Sequence, residues 1–150
     1  MSGNELWGVD SGGTIYRRLG ISASKPGGTS WQLIPGRLAD ISVGDSGVWG
    51  VYSDGFIWYR TGTGKYAGNS KKGSGWKRVP GDLTTISSGK GLVYGTTRDN
   101  DIWVRLGISS KTPTGTKWKK IPGKLMEISV DTVSNSVWGC LLYTSPSPRD

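Results

Sequence analysis

A set of short motifs recurs three times along the chain and begins a fourth time, and this repeat limits the fold more than any other feature. An aromatic residue followed by glycine stands at Trp7-Gly8, Trp49-Gly50, Tyr94-Gly95 and Trp138-Gly139, at spacings of 42, 45 and 44 residues. Eight residues beyond each of the first three comes Ile15-Tyr16-Arg17-Arg18, Ile57-Trp58-Tyr59-Arg60 or Ile102-Trp103-Val104-Arg105. A glycine follows each time at Gly20, Gly62 and Gly107. Next come Trp31, Trp76 and Trp118, with Pro35-Gly36, Pro80-Gly81 and Pro122-Gly123 four residues later. Each unit ends on Leu38-x-x-Ile41-Ser42, Leu83-x-x-Ile86-Ser87 or Leu125-x-x-Ile128-Ser129.

Each unit therefore holds four short pieces rich in β-branched and aromatic residues, bounded by Gly, Asp, Ser or Pro. Asp54-Gly55 reads as a tight hairpin turn between the first two pieces, and Gly12-Gly13 and Asn100-Asp101 lie at similar points. No stretch has sustained helical periodicity, so the chain is all-β. Four strands in about 43 residues is the period of a β-propeller blade. Three units could also form a β-trefoil, but the fourth start at Val137-Trp138-Gly139 argues against it. The repeats run over about 6–47, 48–91 and 92–136, with a fourth from 137.

In combination these motifs resemble the tectonin repeat of tachylectin-like and fish-egg lectins, over residues 6–139. The resemblance implies a propeller of four-stranded blades that binds carbohydrate or lipopolysaccharide without catalysis. One branch of that family is intracellular and works at membranes. The resemblance also implies that Leu-x-x-Ile-Ser is the innermost strand of a blade. On that phasing 38–81 and 83–123 are whole blades, 6–36 lacks an inner strand, and Leu125 to Gly139 only starts a fourth. An incomplete ring leaves apolar blade faces open. The chain is thus expected to be a fragment, or to self-associate to close a ring. Residues 140–150 match no repeat and contain two Ser-Pro steps, so they read as a non-native or disordered tail.

Side chains alternate along a strand, so Tyr16 shares a face with Arg18, Trp58 with Arg60, and Trp103 with Arg105. An aromatic face can stack on the apolar face of a sugar, and a guanidinium can bind its hydroxyls or anionic groups. Aromatic and Arg residues repeated at fixed blade positions more often knit neighbouring blades together, and the same holds for Trp31, Trp76 and Trp118. Loops on a rigid scaffold are the other place to seek a site. The Arg-to-Trp loop is longest in the middle unit, 16 residues against 13 in the others. It carries Lys65, Tyr66, Asn69, Lys71 and Lys72, which combine charge, an aromatic face and an amide. Asp10, Asp54 and Asn100 are turn residues first and sugar-hydroxyl partners second.

The net charge of +8 is uneven: residues 1–47 are neutral, 48–91 carry +5 and 92–136 carry +3. Such an excess favours an anionic partner such as lipopolysaccharide, acidic glycan or acidic lipid, and it also serves simple solubility. Nucleic acid rests on charge and aromatics alone and is the weakest of these partners. The chain has no His, which removes the usual general base and the commonest metal ligand. Its single Cys140 excludes an internal disulfide. No catalytic residue, metal or cofactor is expected. Gly62-Thr63-Gly64-Lys65 lacks the hydroxyl residue and the helix of a phosphate loop. The expectation is a multivalent lectin of innate recognition, secreted although Met1 to Asp10 contains no signal-peptide core. The alternative is an intracellular, cytoplasmic scaffold that docks on proteins or acidic membranes.

Overall fold

The computed structural model describes residues 5–68, 71–130 and 137–141. Among them all regular structure is strand except one 3-10 turn at Lys65–Ala67. The first sheet joins β1 (Trp7–Val9), β2 (Thr14–Leu19) and β3 (Ser30–Arg37). The second joins β4 (Asp40–Gly44), β5 (Gly47–Val51), β6 (Ile57–Thr61) and β7 (Gly75–Val79). The third runs β8 (Thr85–Ser88), β9 (Val93–Thr96), β10 (Asp101–Leu106), β11 (Lys117–Val130) and β12 (Val137–Leu141). All neighbouring strands are antiparallel.

The 14-residue β11 serves two blades. Its first half pairs with β10, and from Leu125 onward it pairs with β12. The change of partner comes just after Pro122-Gly123, where the β10 register slips between Asp101 and Ile102. An equivalent slip between Thr14 and Ile15 marks Pro35-Gly36. Proline within a sheet is confined to edges and bulges, so a Pro-Gly step is suited to end an outer strand in this way. The three glycines share a φ near 120°, at 122°, 130° and 115°, outside the range of most residues.

The hairpins β1–β2, β5–β6 and β9–β10 close alike. Asp10, Tyr52 and Thr97 each accept a backbone bond from the residue three ahead. That third residue has positive φ: Gly13 at 88°, Gly55 at 91° and Asn100 at 68°. Asn100 is the one non-glycine residue with positive φ among those described, and Asn tolerates the left-handed region best. The Asp54 carboxylate accepts the Phe56 amide at 2.9 Å, and Asp10 accepts those of Gly12 and Thr14 at 2.9 Å. Asp10, Asp54 and Asn100 thus all sit in hairpin turns.

The apolar cores lie between sheets. Trp7, Ile15, Ile34 and Leu38 meet Val48 of the second sheet, with Ile41, Val43, Trp58 and Trp76 packed around them. On its other face the second sheet presents Trp49, Val51, Ile57, Tyr59 and Val79 to Leu83, Ile86 and Val93. The middle blade is therefore covered on both faces, and every residue of β5 is buried. The glycine after each aromatic has a packing reason. A Cβ at Gly50 would overlap Leu38, and one at Gly95 would overlap Leu83. Gly8 has no leucine above it, and a Cβ there would meet nothing within 4 Å.

Candidate functional site: aromatic clefts between blades

Three clefts recur at equivalent positions. The first, of about 210 Å³, lies between the first two sheets and is lined by Gly36, Arg37, Leu38, Tyr52, Asp54, Trp58 and Trp76. The second, of about 280 Å³, is lined by Ile57, Gly81, Asp82, Leu83, Thr97, Trp103 and Trp118. The third, of about 240 Å³, is lined by Gly8, Val9, Asp10, Tyr16 and Trp31. Each has one aromatic from β2, β6 or β10 (Tyr16, Trp58 or Trp103) and one Trp from the strand paired outside it. The first two are completed by the Pro-Gly turn of the preceding blade. The third has no such wall among the described residues.

A hydrogen bond fixes the outer wall. Trp76 donates its indole N–H to the Pro35 carbonyl at 2.8 Å, and Trp118 donates to Pro80 at 2.7 Å. The adjoining glycine is required for this approach: a Cβ at Gly36 or Gly81 would sit 3.0 Å from the indole nitrogen. Trp31, by contrast, is 51% exposed, and its indole nitrogen has no hydrogen-bond partner among the described residues. Trp76→Phe is therefore expected to lose about 1 kcal/mol of stability, while Trp31→Phe leaves the melting curve unchanged. Equal effects of the two changes in thermal denaturation would remove the staple from the account.

The sequence matches the tectonin domain over residues 2–141. The chain belongs to the tectonin family. Its fold is a partial tectonin β-propeller. The structure is similar to that of human WBSCR16, with a TM-score of 0.52 and 8% identity over 82% of this chain and 39% of that one. It is also similar to Myxococcus xanthus glutaminyl cyclase, with a TM-score of 0.55 and 12% identity over 93% of this chain and 65% of that one. At these identities the likeness is one of fold, and the tectonin chain spans less than two thirds of either protein. No curated protein matches it in sequence.

Within the tectonin repeat the conspicuous arginines stand behind the clefts. Arg18, Arg60 and Arg105 lie directly across from Trp31, Trp76 and Trp118 in the strand register. Their guanidinium carbons sit 4.9, 5.2 and 5.2 Å from those indole rings. The stacking partner is thus the cross-strand Trp, where alternation along one strand had pointed to Tyr16, Trp58 and Trp103. Each Nε donates into the following loop: Arg18 to Gly27 at 2.8 Å, Arg60 to Lys72 at 3.0 Å and Arg105 to Thr114 at 2.7 Å. Arg60 and Arg105 are only 4% and 6% exposed, and desolvation holds both pKa values below the usual arginine value. These groups stiffen the indole wall and tie down the loop beneath it.

The middle loop turns away from the clefts. Lys65 donates its amide to the Asp45 carbonyl at 3.0 Å, which packs the 3-10 turn on the β4–β5 hairpin. The Lys65 ammonium lies 5.3 Å from the Tyr66 ring, and the Tyr66 hydroxyl abuts Gly91. Lys71 and Lys72 are exposed and line no cleft. Asn69 lies outside the described residues. The clefts gather Asp10, Tyr16, Asp54, Trp58 and Trp103 from the residues singled out in the sequence, and add Arg37, Tyr52, Asp82 and Thr97. One signal for two of these was present. The residue after Pro-Gly changes from Arg37 to Asp82 to Lys124 within an otherwise fixed turn.

Proposed function

We propose that this tectonin chain is a non-enzymatic lectin that binds sugars in its interblade clefts. The observation that carries the reading is the recurrence of one aromatic cleft in register along the array. Two aromatic walls offer flat apolar faces for the C–H side of a sugar ring. Carboxylate, guanidinium and hydroxyl groups of Asp54, Arg37, Tyr52, Asp82 and Thr97 at the rims suit its hydroxyls. A single shallow site of this kind is weak, and repetition converts weak sites into avidity on a surface that repeats its own sugars. Glycans of microbial surfaces, lipopolysaccharide among them, have that repetition. Such a role places the protein outside the cell.

The first test is binding to immobilised lipopolysaccharide at low and high salt, with N-acetylglucosamine as competitor. Salt-tolerant binding released by the sugar is expected. Trp58→Leu keeps an apolar side chain in the core but removes the aromatic wall. It is expected to weaken sugar binding at the first cleft about tenfold, the size of one stacking contact. Unaltered affinity for that variant would remove the cleft from the proposal.

A second reading rests on the charge of the middle loop. Lys71 and Lys72 project from it, outside the clefts, on the blade that also carries Lys77 and Arg78. This suits docking on an acidic lipid surface by a scaffold. Binding of that kind falls steeply as salt rises and ignores free sugar.

A further inference from the structure

We infer that the two complete clefts take different sugars: the first a sugar bearing a carboxylate, such as a uronic acid, and the second an amino sugar. The inference rests on the lectin reading. Its basis is the residue after the Pro-Gly turn, a cation in the first cleft and a carboxylate in the second. Arg37 and Asp82 each follow the Pro-Gly turn that carries the indole staple, and each lines its cleft.

Arg37 is exposed and held in place at one end, its NH1 donating to the Gly12 carbonyl at 2.9 Å. Its remaining N–H groups stay available to a ligand carboxylate, for which a guanidinium fork is the best-matched partner. Nearby, Arg78 lies across from Trp58 and stacks over the Phe56 ring at 3.5 Å. No carboxylate within ion-pair distance of Arg78 is found among the described residues. Asp54 also lines this cleft, and the Phe56 amide already occupies one of its carboxylate oxygens. Two cations against one partly engaged carboxylate leave the first cleft positive.

The second cleft reverses this. Asp82 is exposed and has no hydrogen bond or ion pair among the described residues. The cation across from Trp103 is Lys120, and Asp101 offsets it at 3.7 Å. Lys124, on the same edge, also pairs with Asp101, at 2.6 Å. Thr97 already accepts the amides of Asp99 and Asp101 at 3.2 and 3.1 Å, so its hydroxyl is free to donate to a sugar oxygen. Asp82 is left as a free carboxylate beside two indoles. That arrangement suits an ammonium, which gains both an ion pair and an aromatic face.

The test follows the indole N–H resonances of the intact chain during titration with methyl glucuronide, methyl glucosaminide and methyl glucoside. Glucuronide is expected to shift the signals of Trp58 and Trp76, and glucosaminide those of Trp103 and Trp118. Each should be preferred over the other by about tenfold or more, the scale of one charged hydrogen bond. Both positions are exposed, so Arg37→Asp and Asp82→Arg should keep the wild-type melting temperature. The double variant is expected to exchange the two preferences. Equal affinity of both clefts for all three sugars, or a preference unmoved by the exchange, would overturn the inference and leave the lectin reading standing. Shifts with none of the three, beside well-dispersed spectra and no capture by lipopolysaccharide, would overturn both.

Discussion

Gly44→Ala is expected to lower the melting temperature by about 3–10 °C, from an overpacking cost of about 1–3 kcal/mol in a chain of this size. Gly44 ends β4 where that strand approaches β8 of the next blade. A Cβ there would overlap the Ser88 carbonyl, which is backbone and cannot rotate aside. Two hydrogen bonds hold the two innermost strands at this distance, and a third ties β8 to the adjoining β5. The Ser88 amide donates to the Ser42 hydroxyl at 2.9 Å, the Ser88 hydroxyl to the Gly47 carbonyl at 2.9 Å, and the Ile86 amide to the Asp40 carboxylate at 3.1 Å. Separating the strands to admit a methyl group would stretch all three. Gly27→Ala is the control, because a Cβ at Gly27 meets nothing within 4 Å. Circular dichroism melts of the two variants should differ clearly. Coincident curves would mean that the inner strands have more room than this packing gives them.

The second large effect is expected at Arg60. Arg60→Ala removes a buried guanidinium from the face of Trp76 and leaves the Lys72 carbonyl without its donor. Lost stacking, lost alkyl packing and one unmade hydrogen bond together are expected to cost about 2–4 kcal/mol. Arg60→Lys restores the charge without the flat fork and should recover only part of this. Sugar affinity, measured below the melting transition, should change far less than stability. Full stability with binding abolished would reverse the assignment and place Arg60 in contact with ligand.

The repeat made the strands legible because its motifs mark both ends of each one: the aromatic-Gly step, the Ile-x-x-Arg run and the Pro-Gly turn. Alternation also placed Trp58 and Arg60 on one face correctly. What it could not supply was the partner across the sheet. Arg60 faces Trp76 because the β6–β7 register pairs them, and the loop between is long enough to permit other registers. The clefts were hidden for a related reason. Gly36 and Trp76 stand 40 positions apart in the sequence and meet only when one blade stacks on the next. Tyr16, Asp54, Trp58 and Trp103 could be found because they sit on marked strands and turns. The middle loop drew attention through its length and charge. Its length instead lets Lys65 reach back to the Asp45 carbonyl, so the extra residues cover the neighbouring hairpin.

The Pro-Gly walls and the indoles they meet come from successive repeats, and this bears on how such a chain can change by duplication. A duplicated repeat with the bounds 48–91 carries no whole cleft within it. It brings the back wall of one and the front walls of another. Inserted into the array, it adds one new junction, where an existing Arg37-like or Asp82-like residue faces a newly arrived pair of aromatics. Recognition chemistry can thus be reshuffled by moving repeats, with no substitution in any of them. A point change after a Pro-Gly step, conversely, alters one cleft and spares its neighbours.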